Sequence, residues 1–67
     1  MRPGSPGFVG ERLRELREAR GLTGIALAEM LEVTRQAVSQ YETDASSPRP
    51  ETVDKLVQVL NVPRQYF

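Results

Sequence analysis

The sequence predicts an all-α fold, a compact bundle of about five short helices. Three observations carry that expectation. Apolar residues recur at spacings of three and four, and no stretch shows the strict alternation of a half-buried strand. Thr23, Thr34 and Pro50 stand at the head of three of these stretches, where helix caps and first-turn residues belong. Finally, the 67 residues contain no cysteine, so helix packing rather than disulfides must hold the fold.

Residues 1–7 hold two prolines and two glycines and read as a flexible N-terminal arm before a single domain over residues 8–67. Val9, Leu13 and Leu16 then mark the apolar stripe of a first helix over residues 9–20, with Glu11, Arg12, Arg14, Glu15 and Glu18 on its polar side. Gly21 follows as a C-terminal cap, after a cation, Arg20, that suits the negative end of the helix dipole. Thr23 caps a second helix over 24–31, which buries Leu27, Ala28 and Leu31. Thr34 caps a third over 35–43, with Ala37, Val38 and Tyr41 turned inward. The four residues Leu31-Glu32-Val33-Thr34 therefore form a tight corner between two helices. Residues 44–49 read as a loop. Pro50 opens a fourth helix whose inner face is Val53, Leu56, Val57 and Leu60, closed by Asn61 in a left-handed conformation. Pro63 starts a last short turn carrying Tyr66 and Phe67.

Nine cations balance nine acids, so the net charge is zero, which argues against a general electrostatic affinity for nucleic acid. It does not exclude a reader whose charges are locally arranged. The absence of both histidine and cysteine excludes the usual zinc sites and Ser–His or Cys–His catalysis within these residues. No base, nucleophile pair or metal cluster is left to form, and the expectation is a chain that is not an enzyme and needs no cofactor or metal. With no long apolar run and no signal-like N-terminus, a cytoplasmic protein is expected, with no membrane partner.

Gln36, Ser39, Gln40 and Thr43 fall at i, i+3, i+4 and i+7 of the third helix, on the side away from Val38. A solvated helix face normally carries Lys and Glu, and this one carries neutral amides and hydroxyls with Arg35 beside them. Such groups match base edges in a major groove: Gln pairs with adenine, Arg with guanine, and Ser or Thr with either. An ordinary polar surface is the plainer reading of the stripe by itself.

The stretch LTGIALAEMLEVTRQAVSQYE resembles the helix-turn-helix of the phage-repressor, Cro-like family, also called the xenobiotic-response-element (XRE) family. Leu22-Thr23, Leu27-Ala28, Leu31, Val33-Thr34, Val38 and Tyr41-Glu42 stand where that family places its cap and packing residues. GERLRELREARGLT and SPRPETVDKLVQVLNVPRQYF look like its flanking helices, so the resemblance covers residues 8–67. It implies a lambda-repressor-like bundle and sequence-specific double-stranded DNA binding by a bacterial or phage regulator, a repressor, acting as a homodimer on DNA. It also implies base contacts from Arg35, Gln36, Ser39 and Gln40. Backbone contacts would come from Thr23, Gly24, Thr34, Thr43, Ser47 and Arg49. The arm, through Arg2, could enter a groove. An ion pair between Arg17 and Glu42 would tie the first helix to the reading helix. The apolar end, Val62, Tyr66 and Phe67, offers a possible dimer surface. For at least two of the three, packing onto helices one and four is the plainer alternative.

The sequence departs from the family at three positions. Gly24 replaces a glutamine that contacts phosphate, while Glu32 and Asp44 replace glycines. Asp44 also adds a negative charge near the expected path of the phosphates. Few cations in the 44–49 loop imply a shallow salt dependence. A second reading is a protein-interaction or antitoxin-type module, or the N-terminal domain of a longer regulator with a sensor or peptidase domain.

Overall fold

Thr23 and Thr34 both leave the chain in extended backbone (φ −80° at each) and turn it into a helix. Each hydroxyl oxygen accepts the N–H of the third residue on, Ala26 and Ala37, at 3.0 Å. A cap of this kind contributes about 1 kcal/mol to its helix. In the computed structural model, which describes residues 7–67, the elements are α1 (Gly10–Ala19), α2 (Gly24–Leu31), α3 (Arg35–Glu42), α4 (Pro50–Leu60) and one 3-10 turn, Arg64–Tyr66. The fold is therefore all-helical among the described residues, with four α-helices where about five helices were expected. The segment after Pro63 closes only a three-residue turn. Of the expected arm over 1–7, all but Gly7 lies outside the described residues.

Two boundaries differ from the expectation for physical reasons. The first helix starts at Gly10, because Val9 stays extended (φ −110°, ψ 107°) and donates its N–H to the Phe67 carbonyl at 3.0 Å. The third ends at Glu42, because Thr43 is off the helical basin and Asp44 is left-handed at φ 62°.

α1 and α2 end by the same device. Gly21 (φ 70°) donates to the Glu18 carbonyl and Leu22 to Arg17, three and five residues back. Glu32 (φ 59°) donates to Glu29 and Val33 to Ala28, in the same pattern. Both are Schellman closures, which favour glycine at the left-handed position. α2 makes its closure with a glutamate. α4 ends on Asn61 at φ 56°, with Arg20 donating from Nη2 to the Leu60 carbonyl at 2.7 Å.

The core gathers Leu13 and Leu16 from α1, Leu27, Ala28 and Leu31 from α2, Val38 from α3, and Val53, Leu56 and Leu60 from α4. Each fully buried leucine favours the folded state by roughly 1.5–3 kcal/mol over an exposed one. Phe8 and Phe67 close the open end, stacked with ring centroids 5.3 Å apart. Tyr66 meets Phe67 edge-on at 5.5 Å, and its carbonyl accepts from Arg12 at 3.1 Å. Of the three residues named for a dimer surface, Phe67 is buried within the chain, while Val62 and Tyr66 are half-buried against the core. No helix among the described residues is long and apolar enough to cross a membrane.

Candidate nucleic-acid interface

α3 buries only Val38 fully, so the helix rests on one flank and presents the other to solvent. Arg35, Gln36, Ser39 and Gln40 are all exposed on it. None of their side chains has a hydrogen bond or ion pair to another described residue, so their donors and acceptors are open to an outside partner. Thr43 differs. Its hydroxyl donates back to the Ser39 carbonyl at 3.0 Å, so in this state its proton is engaged within the helix.

Thr23 and Thr34 use their hydroxyl oxygens as acceptors, which leaves both O–H protons available at the exposed heads of α2 and α3. Gly24 is the first residue of α2 and half-buried, and a Cβ built on it would meet nothing within 4 Å. Beside it lies a shallow cleft of about 210 Å³, lined by Gly24, Arg35, Val38 and Ser39 and bounded by Arg17 and Glu42. The fold thus brings Arg35 and Ser39 together with the start of α2, while Gln36 and Gln40 lie outside the cleft. Arg49 is exposed at the head of α4, next to the fully buried Pro48, which pins the loop, and Ser47 is half-buried. The Ser46 N–H donates to the Gln40 carbonyl at 3.2 Å, folding the loop back onto the end of α3.

Behind this face, Arg17 grips Glu42 side-on: Nε lies 2.6 Å from Oε2 and Nη2 lies 3.2 Å from Oε1. The remaining Nη1 donates to the Leu22 carbonyl at 2.9 Å. The side chains are 16% and 9% exposed, so the pair is largely desolvated. The hydrogen bond to Glu42 raises the Arg17 pKa above its ordinary value against the opposing effect of burial, so Arg17 remains a cation.

Two supporting residues were not singled out from sequence as parts of this arrangement. A Cβ on Gly10 would lie 2.1 Å from the Tyr41 carbonyl oxygen and 2.8 Å from that of Glu42, so α1 abuts the end of α3 backbone to backbone. The Gly10 N–H donates to Asp44 Oδ1 at 3.0 Å. A glycine opening an amphipathic helix was the one available signal, and it names no partner.

The helix-turn-helix family model matches residues 13–67, from the middle of α1 to the last residue. The chain belongs to the helix-turn-helix family. The XRE-type resemblance read from its sequence agrees with that match. Among its relatives, the HTH-type transcriptional regulator PrpR of Mycobacterium tuberculosis is 43% identical over 63 residues, which is 90% of this chain and 12% of that protein. The HTH-type transcriptional regulator RamB of the same organism is 41% identical over 58 residues, 87% of this chain and 12% of RamB. The chain therefore spans about an eighth of the length of these two relatives. Among solved structures, SinR, a master regulator for biofilm formation crystallised in complex with DNA, superimposes with a TM-score of 0.78 at 25% identity. That match covers 87% of this chain and 97% of SinR. The restriction-modification controller protein C.AhdI of Aeromonas hydrophila gives a TM-score of 0.79 at 32% identity, covering 85% and 86% of the two chains.

Proposed function

We propose that this chain is a sequence-specific double-stranded DNA-binding domain of a transcription regulator, a repressor, which reads the major groove with α3. The observation that carries the reading is the exposed, unpartnered set Arg35, Gln36, Ser39 and Gln40 on a helix whose opposite flank is fixed by Val38. Such a helix offers base-edge hydrogen bonds without first breaking internal ones. Arg35 at the head of α3 and Gln36 beside it reach the floor of the groove first, with Ser39 and Gln40 one turn on.

The hydroxyls of Thr23 and Thr34, the N–H groups at Gly24 and the side chains of Ser47 and Arg49 face the two flanking phosphate runs in this reading, and fix register rather than sequence. Thr43 joins them by rotating its hydroxyl away from the Ser39 carbonyl. Two copies on DNA would place their reading helices about 34 Å apart on successive major-groove turns. The names of PrpR and RamB and the DNA in the SinR crystal support the regulator reading. The much greater length of the first two supports its working as the DNA-binding part of a longer regulator.

The chain carries its own controls for a test. Gln36, Gln40, Gln58 and Gln65 are all exposed. Titration of the labelled protein with mixed-sequence duplex at low salt should shift the side-chain amide signals of Gln36 and Gln40 and leave those of Gln58 and Gln65 in place. Movement confined to Gln58 or Gln65 would put the interface on the wrong side of the molecule.

A further inference from the structure

Asp44 stands two residues beyond Glu42, just past the end of the reading helix. Its geometry gives it a task. The residue sits at φ 62°, in the left-handed region that glycine would occupy without strain. From there its Oδ1 accepts the N–H of Gly10, the first residue of α1 and 34 positions away, at 3.0 Å. That N–H belongs to the group at a helix start that lacks any partner inside its own helix. At the same point Gly10 lies so close to the Tyr41 and Glu42 carbonyls that no side chain fits between. About two turns along α1, Arg17 holds Glu42 by two hydrogen bonds. The C-terminal end of α3 is thus fixed to α1 at two points, and Asp44 supplies one of them.

We propose that Asp44 is a positioning residue for DNA reading: its acceptor oxygen fixes the tilt of α3 and the path of the loop bearing Ser47 and Arg49. The inference rests on the DNA-binding reading above. A glycine here would remove the strain and would also remove the acceptor. Asparagine tolerates the left-handed conformation and keeps an acceptor oxygen. Comparing the two variants isolates the acceptor.

The experiment selects the preferred duplex with the unaltered protein. It then measures, for that protein, Asp44→Asn and Asp44→Gly, the affinity for this duplex and for duplexes changed at single positions. Asp44→Asn should keep the discrimination of the unaltered protein. Asp44→Gly should lose discrimination by about threefold to fivefold relative to Asp44→Asn, the size expected for one lost hydrogen bond. Exchange of the Gly10 amide should be slow in Asp44→Asn and fast in Asp44→Gly. Equal discrimination by the two variants overturns the positioning role, as does lost discrimination in Asp44→Asn, whether or not Asp44→Gly folds. Failure of the unaltered protein to select any duplex overturns the DNA-binding reading itself, and is seen before any variant is made.

Discussion

Arg17 on α1 and Glu42 at the end of α3 meet through two parallel hydrogen bonds, 2.6 and 3.2 Å long, behind the exposed flank of α3. A bidentate guanidinium–carboxylate pair fixes angle as well as distance, so the pair sets how α3 stands on the rest of the bundle.

Removing Arg17 strands a carboxylate that is only 9% exposed. Breaking a fully buried pair costs about 3–5 kcal/mol, and the residual exposure of Arg17 brings the expectation for Arg17→Ala to about 2–4 kcal/mol. Arg14 pairs with Glu18 one turn along the same helix at 3.5 Å, with both side chains more than half exposed, and pairs of that kind contribute a few tenths of a kcal/mol. In a domain of this size 1 kcal/mol moves the melting temperature by about 4–8 °C. Thermal melts should therefore separate Arg17→Ala from Arg14→Ala by roughly 7 °C or more, and equal shifts would contradict the account.

Alanine is ordinarily the better helix former than glycine by about 0.5–1 kcal/mol. Gly10→Ala should reverse that sign, because its new methyl would stand 2.1 Å from a backbone oxygen that cannot step aside. We expect a loss of at least about 2 kcal/mol by urea denaturation. Gly24→Ala, whose methyl meets nothing, should be neutral or stabilising by up to about 1 kcal/mol. If both variants move the midpoint the same way, α1 does not abut α3 as described.

Glu32→Gly should raise stability. The left-handed conformation costs a non-glycine residue about 1–2 kcal/mol, part of which is returned because glycine loses more backbone freedom on folding. The exposed pair between Glu32 and Lys55, 3.1 Å apart, contributes little to set against this. A net gain of about 0.5–1 kcal/mol should show as a higher urea midpoint. An unchanged or lower midpoint would count against strain at this turn.

Phe67→Ala removes a ring stacked on Phe8 and buried to 8% exposure. Emptying a core aromatic position costs about 3–5 kcal/mol, and a position at the end of the bundle should lie near the lower figure. The loss should be independent of protein concentration. A midpoint that instead fell with dilution in the unaltered protein, and lost that dependence in Phe67→Ala, would return Phe67 to a dimer surface.

The parts of this fold that were legible in the sequence are those that local chemistry decides. Thr23, Thr34 and Pro50 mark the starts of α2, α3 and α4 because caps act within three residues of themselves. Gly21 marked the end of α1 for the same reason. What escaped the reading is non-local. Whether α1 starts at Val9 or Gly10 depends on a carbonyl at Phe67, and the glycine at position 10 answers to Tyr41. Asp44 was legible only as a replaced glycine and an added negative charge, while its hydrogen bond to Gly10 spans 34 residues and leaves no periodic trace. Glu32 shows the limit from the other side: the helix end was placed correctly although its residue is the wrong type for the turn.

The central claim is that Arg35, Gln36, Ser39 and Gln40 read bases, and selection of random duplexes by the purified chain at low salt tests it most directly. The account predicts that one motif is enriched, that Gln36→Ala and Gln40→Ala each relax it at different positions, and that each loses about 1–3 kcal/mol of discrimination there. Enrichment of no motif, or of a motif that neither substitution alters, would contradict it.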